Sequence, residues 1–274
     1  MSHISTALTV AGSDSGGGAG IQADLKTFTV LGVYGASVIT ALTAQNTLGV
    51  KSIHDIPPEF VAEQLEAVLG DIGADAVKTG MLANNGIVET VAGVLADHRV
   101  KNLVVDPVMV SKSGHPLLER EARAALMRAL LPMALIVTPN LYEAEALTGR
   151  EVRTVDQMKS AAELIARMGP RYVVVKGGHL RGPAVDVLFD GTGFSLLAQD
   201  RVETKNTHGT GCTYSAAIAA FLARGRAPAE AVASAKRYVT TAIRFSLDIG
   251  RGHGPTNHMA WKRDKEADAQ DERG

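Results

Sequence analysis

The chain has 274 residues, 46% of them hydrophobic and 21% charged, with 28 Lys plus Arg against 29 Asp plus Glu and a net charge of −1. That balance excludes wholesale disorder and offers no basic surface for nucleic acid or an anionic membrane. The length lies near the upper limit for one hydrophobic core, and a lone cysteine (Cys212) cannot form an intrachain disulfide, so one domain in a reducing compartment is expected.

Met1 to Thr6 carries no basic region followed by an apolar stretch, and the longer apolar segments are broken by Gly, Pro or charge well short of a membrane span. A cytoplasmic location is therefore expected. Along the chain, Ala7 to Ala11 reads as a strand, followed by a glycine loop from Gly12 to Gly20. Ile21, Leu25, Phe28 and Leu31 then recur at three or four residues and predict a helix. Val33 to Ala44 reads as two β stretches around Gly35, and Pro57-Pro58 opens a helix with Phe60, Leu65, Val68 and Leu69 on its apolar side.

Ala76-Val77, Leu103 to Val105, Leu135 to Val137 and Val173 to Val175 are short aliphatic runs set between helical patterns, as in a parallel α/β sheet. Their ends carry Lys78-Thr79-Gly80, Asp106-Pro107, Thr138-Pro139-Asn140 and Lys176-Gly177-Gly178. Ligands of open α/β sheets gather at the carboxyl ends of strands, so these groups should face one crevice. A hairpin is expected around Asp190-Gly191, then helices over about 211–223 and 229–247. No linker or internal repeat stands out, which predicts one domain over 1–260 and a frayed polar tail over 261–274.

The strongest local signal is Gly209-Thr210-Gly211-Cys212 at the start of the helix beginning near 211. Glycines before a helix let backbone amides converge on an anion, and the helix dipole adds positive charge. Cys212 admits three readings there: a small core residue, a covalent nucleophile, or a thiol whose pKa is lowered by the helix terminus so that it accepts a proton. The glycine loop after the first strand suits close backbone approach to a ligand, or simply a tight turn. It fits a dinucleotide fingerprint only loosely, because Val33 to Ala44 has no acidic residue for a ribose.

No P-loop and no protein-kinase glycine loop exist in the chain. Asp106 suits a magnesium ligand or a turn residue. Asn140 and Glu143 suit the same ion or a capping box. His179, His208, His253 and His258 show no zinc-type spacing and read as loop residues, with His208 nearest to a substrate.

Taken together, the motifs resemble the hydroxymethylpyrimidine/phosphomethylpyrimidine kinases of the ribokinase superfamily, from Thr9 to about Met259. The resemblance rests on Ala11-Gly12-Ser13-Asp14 with Gly16 to Thr27, Val38 to Thr47, Gly80-Met81-Leu82, and Asp106-Pro107-Val108-Met109 through Lys112-Ser113-Gly114. It continues in Thr138-Pro139-Asn140, Val175 to His179 and Lys205 to Thr213. It implies a three-layer α/β/α fold with a mostly parallel sheet, usually a homodimer, and ATP-dependent phosphorylation of a hydroxymethylpyrimidine and then of its monophosphate.

By the same resemblance Gln45 pairs with the pyrimidine, with Asp24, Gly12, Met81 and Val108 completing that pocket. Gly209, Thr210 and Gly211 form the anion hole, and Cys212 stands where other ribokinase relatives carry a catalytic aspartate. Lys176, Asn140, Lys205 and Thr207 attend the nucleotide, and Asp106 and Glu143 organise Mg²⁺, largely through waters. The rival readings are a pyridoxal kinase, a sugar kinase (disfavoured by Gln45 and Cys212) and a non-catalytic ligand-binding protein on the same fold.

Overall fold

The computed structural model describes residues 3–109, 117, 120–180 and 182–261. The Lys112-Ser113-Gly114 segment and residues 262–274 of the expected tail lie outside them. In order the elements are β1 (Thr6–Asp14), α1 (Gly20–Val30), β2 (Tyr34–Asn46), β3 (Gly49–Asp55), α2 (Pro58–Leu69), β4 (Ala76–Thr79), α3 (Asn85–Asp97) and β5 (Leu103–Val105). Then come α4 (Arg120–Ala125, continued by single turns to Met133), β6 (Ile136–Val137), α5 (Leu141–Thr148), α6 (Val155–Ala166), β7 (Tyr172–Val175), β8 (Ala184–Phe189), β9 (Phe194–Gln199), α7 (Thr210–Ala223) and α8 (Pro228–Arg244).

All these strands join one sheet in the order β3-β2-β1-β4-β5-β6-β7-β8-β9. β2, β1, β4, β5, β6 and β7 run parallel, while β3, β8 and β9 pair antiparallel at the two margins. Consecutive strand residues point to opposite faces. Leu8, Val77, Leu103, Val105, Val137, Val173 and Val175 therefore pack with α2 to α6. Ala7, Ala76, Val104, Ile136 and Val174 pack with α1, α7 and α8 on the other face. Both faces being covered is why these strands read as unbroken aliphatic runs, and the result is the expected α/β/α layering.

Chain order reverses direction between β2-β1 and β4, so the topological switch point lies at the carboxyl ends of β1 and β4. Several sequence expectations change. β2 is one continuous strand through Gly35, where a Cβ would come within 2.9 Å of Leu25 and 3.0 Å of Phe28. That glycine admits α1 closely against the sheet rather than breaking the strand. On α2 the buried residues are Val61 and Leu65, and Phe60 is exposed. β3, whose residues are mostly polar and half-exposed, was not foreseen as a strand. Trp261, assigned to the tail, instead packs edge-on against Tyr238 at 5.6 Å.

Candidate active site

The parallel register carries the polar strand ends to one level. Val10 pairs with Thr79, Thr79 with Val105, Val105 with Val137 and Val137 with Val173. Backbone bonds continue the ladder one step further, from the Asp106 amide to the Thr79 carbonyl (3.0 Å) and from the Lys176 amide to the Pro139 carbonyl (2.8 Å).

Asp106 is 2% exposed. Its Oδ1 accepts from Lys176 Nζ (3.0 Å) and Thr138 Oγ1 (3.1 Å), and its Oδ2 accepts from Ser215 Oγ (3.1 Å) on α7. Burial pushes this carboxyl up, but the Lys176 and Lys78 cations outweigh it and hold it below the usual range. Lys176 Nζ also lies 3.9 Å from Glu143 Oε2. Glu143 is pushed up to about 7, chiefly by burial, against the pull of Lys176. Asn140 and Glu143 complete the reciprocal capping box on α5, with the Glu143 amide donating to Asn140 Oδ1 at 3.0 Å and the Asn140 amide to Glu143 Oε2 at 2.7 Å. The cap and the carboxylate pair are thus the same residues. Hard oxygen donors of this kind suit a hard divalent cation. Among the described residues no three acidic, histidine or cysteine side chains converge as a cage, so water and phosphate would supply most ligands.

Gly209 begins α7 at φ 78°, and a Cβ on it would meet the Gly18 carbonyl at 1.8 Å. Only glycine lets the two glycine loops touch here. Thr210 Oγ1 donates to the Thr207 carbonyl at 2.8 Å, closing the turn. A Cβ on Gly211 would stand 3.6 Å from Lys176 Nζ and 3.7 Å from Asp106 Oδ2, so the turn faces the charged cluster. The Gly211 and Cys212 amides belong to the first turn of α7 and have no carbonyl four residues back inside the helix.

Cys212 corrects the expectation of a lowered pKa. The Gly20 amide donates to its sulfur, yet burial pushes the thiol up to about 11; Lys78 pulls it down while Asp24 and Asp106 push it further up. The helix terminus is outweighed by loss of water and by two nearby carboxylates.

Asp24 is also corrected. It does not reach the crevice surface: it is fully buried, and its Oδ2 accepts from Lys78 Nζ (2.8 Å) and Thr9 Oγ1 (2.6 Å). Its Oδ1 has no hydrogen-bond partner among the described residues. Lys78, expected at the crevice, is likewise fully buried, with Asp24 as its counter-ion. A signal existed in the sequence: Asp24 sits three residues after Ile21 and four before Phe28, on the apolar face of α1, where a carboxylate needs a buried cation.

On the other side of the Gly209 turn, Gln45 accepts from Thr43 Oγ1 (3.2 Å), and its Nε2 lies 3.4 Å from His208 Nε2. His208 Nε2 lies 2.8 Å from Asp14 Oδ2. Asp14, given no role from sequence, gathers the glycine loop by accepting from the amides of Gly16, Gly18 and Ala19 at 2.8–3.0 Å. Burial raises its pKa, and His208 with those amides outweighs it, so the carboxyl stays low. An acidic residue two positions before three glycines was the available signal.

Gly12 packs on Met81, whose Sδ would lie 3.1 Å from a Cβ there. Val108 is half-buried beyond β5, its amide donating to the Asp106 carbonyl at 2.8 Å. Lys205 stands apart, in an exposed ion pair with Asp248 at 3.4 Å. His258 lies in a turn, as expected of a loop histidine, and is buried there with its Nε2 3.1 Å from Thr213 Oγ1.

The thiamine biosynthesis bifunctional protein of Geobacter sulfurreducens is 56% identical over 253 residues, covering 92% of this chain and 52% of that protein. The chain thus spans about half the length of that relative. The hydroxymethylpyrimidine/phosphomethylpyrimidine kinase of Haemophilus influenzae is 50% identical over 269 residues, covering 96% of this chain and 100% of the relative. The solved pyridoxal kinase of Staphylococcus aureus with AMP-PCP and pyridoxal has a TM-score of 0.89 at 38% identity, covering 96% of each chain. The phosphomethylpyrimidine kinase family model matches residues 14–257, and the chain belongs to that family.

Proposed function

We infer that the chain transfers the γ-phosphoryl group of ATP to the hydroxymethyl group of 4-amino-5-hydroxymethyl-2-methylpyrimidine, and then phosphorylates the monophosphate to the diphosphate, in thiamine biosynthesis. The observation that carries this reading is the convergence of the Asp106–Lys176–Glu143 cluster on the Gly209–Gly211 turn, with Gln45 and His208 flanking that turn. Kinases of this name at about 50% identity over nearly the whole chain support it.

Phosphoryl transfer is mainly positioning and charge neutralisation, which this arrangement supplies. Gln45, with an amide that both donates and accepts, pairs with the aminopyrimidine edge, against Gly12, Met81 and Val108. The Gly209–Thr210–Gly211 turn receives the transferring oxygens, the Thr210 amide bonding the Thr207 carbonyl and the Gly211 and Cys212 amides facing the phosphoryl group. Lys176 neutralises phosphate charge, with Asn140 and Thr207 along the nucleotide, while Lys205 stays in its exposed pair with Asp248. Asp106 and Glu143 would hold Mg²⁺, largely through waters, and the ion would screen the phosphates. Because the Cys212 thiol is protonated at neutral pH, it orients the alcohol by hydrogen bonding rather than standing as a thiolate base. The alcohol's proton then leaves late, after bonding to phosphorus has acidified it, and passes to an oxygen of the transferring phosphoryl group. The proposed catalytic unit is one domain over 1–260, acting as a cytoplasmic homodimer.

Pyridoxal kinase activity is the second reading, favoured by the likeness to a solved pyridoxal kinase and by the pliable Met81 wall beside Gly12. ADP release with hydroxymethylpyrimidine, its monophosphate and pyridoxal, measured side by side, tests both. Turnover of the first two at higher kcat/KM than pyridoxal is the expected result. Turnover of none of them overturns the assignment. Binding of the pyrimidine without turnover would make the chain a sensor.

A further inference from the structure

The segment that follows α8 contains three alternate glycines, Gly250, Gly252 and Gly254, which the reaction so far leaves unexplained. It lies between the two halves of the site. On one side it sits on Thr47, in the turn between β2 and β3 two residues beyond Gln45. The Gly252 amide donates to Thr47 Oγ1 (3.2 Å) and the His253 amide to the Thr47 carbonyl (2.9 Å). A Cβ on Gly250 would meet Thr47 Oγ1 at 2.3 Å, and one on Gly252 would meet the Thr47 carbonyl at 2.0 Å. At Gly252 the two backbones are in direct contact, and only glycine allows it.

On the other side the same segment grips the approach to the anion turn. His253 Nδ1 lies 2.9 Å from the Lys205 carbonyl, and the Gly254 amide donates to Asn206 Oδ1 at 3.0 Å. The His208 amide donates to the Gly254 carbonyl (3.1 Å), and the Thr256 amide to the His208 carbonyl (3.2 Å), so His208 is held as a strand partner of the segment. Thr256 continues beneath the first turn of α7, its Oγ1 3.2 Å from that of Thr213. The Leu247 amide bonds the Pro255 carbonyl at 3.0 Å, closing the segment into a strap of fixed length.

By contrast, the side chain of Gln45 itself reaches towards the anion turn through the 3.4 Å approach of its amide to His208. We propose that the strap from Leu247 to Thr256 sets the separation between the alcohol-binding side chain Gln45 and the phosphoryl-binding turn at Gly209–Gly211, with Thr47 and Gly252 as its positioning residues. This rests on the roles given to Gln45 and to that turn under the proposed function. A strap of this kind controls the approach of the hydroxyl to the phosphoryl group while leaving the nucleotide's own contacts at Lys176 and Asp106 intact. Small misplacements of reacting groups are costly in rate even when binding of the other substrate is unchanged.

The test uses Gly252→Ala, which forces the strap off the Thr47 carbonyl, and Thr47→Val, which keeps the shape and removes the acceptor. Thr47→Ser restores the hydroxyl, and Gly93→Ala in α3, where a methyl would meet nothing within 4 Å, is the control. Steady-state kinetics with hydroxymethylpyrimidine are paired with ADP affinity by calorimetry. Gly252→Ala should raise the alcohol KM and lower kcat by about tenfold or more each, and Thr47→Val by about fivefold, with ADP affinity within about twofold of the parent. Thr47→Ser should recover most of the loss. Unchanged kinetics, or equal losses in alcohol KM and ADP affinity, overturn the strap's role. Should Gly252→Ala fail to fold, Thr47→Val decides alone. A parent enzyme with no turnover of the pyrimidine alcohol would instead sink the functional reading on which the strap's role rests.

Discussion

Lys176 Nζ lies 3.0 Å from Asp106 Oδ1, a half-buried cation and a buried anion delivered by the ends of β7 and β5 and bound to each other across the intervening β6. The same ammonium reaches Glu143 at 3.9 Å, so one positive charge serves two carboxylates. Replacing it strips Glu143 of that cation and leaves Asp106 with the charge of Lys78 alone, which burial makes expensive. Lys176→Met should lower kcat/KM for ATP by about a hundredfold or more and also lower the melting temperature. Steady-state kinetics at varied ATP with a thermal melt check both; unaltered kinetics would remove Lys176 from the nucleotide site.

Cys212 provides a second test. With the thiol pushed up to about 11, mainly by burial, its alkylation by iodoacetamide should be slow at pH 8 and quicken steadily as pH rises towards 11. The pH profile of kcat/KM should show no inflection from this thiol below about pH 10, as follows from the same value. Cys212→Ala should still lower kcat by about tenfold to a hundredfold through loss of alcohol orientation. Alkylation as fast as that of a free thiol at pH 8 would contradict the protonated state, and an alanine variant with unchanged turnover on both steps would leave the residue a packing role.

His258 predicts a pH dependence of stability. Its pKa is lowered from 6.5 to about 4, chiefly by burial and then by the charge of Lys26. Between those two values the unfolded chain binds more protons than the folded one, so stability rises with pH across the window. The contribution is fully present above pH 6.5 and lost as pH falls to about 4. It amounts to something on the order of 3 kcal/mol. Urea unfolding at pH 7 and pH 4.5 should show a smaller loss on acidification in His258→Gln than in the parent. Equal losses in both proteins would contradict the burial of a neutral imidazole.

Behind the nucleotide side, Asp186 joins the Gly177 amide (2.9 Å) to Lys236 Nζ (2.8 Å) on α8. Asp186→Asn should destabilise the fold by about 3–5 kcal/mol by leaving Lys236 buried without its counter-ion, whereas Asp186→Leu with Lys236→Met should recover much of it. Because Gly177 adjoins Lys176, the KM for ATP should rise in both variants. Chemical denaturation and kinetics together separate the two effects. A single variant as stable as the parent would show that the pair carries no net load.

The parallel sheet was legible because buried strands leave aliphatic runs, and its crevice because polar groups follow those runs at Asp106, Asn140 and Lys176. The limits were specific. Gly35 looked like a break, although its missing Cβ makes room for Leu25 and Phe28 inside one strand. Gly49–Asp55 lacks a strongly apolar alternation, and its partner β2 is what makes it a strand. Asp14 was visible as part of a motif, but its task of gathering three amides and His208 depends on a loop that closes in space.

Residue order alone therefore determined the layered α/β fold, the strand-end crevice and the glycine turn before α7, since each follows from local periodicity or from the absence of a side chain. Tertiary structure decided the charge states. Whether Lys78 faces the crevice or Asp24, and whether Cys212 is a thiolate or a thiol, depends on how much water is excluded and which charges converge from α1, β4 and β5. Those distances run between residues far apart in the chain, and only packing sets them.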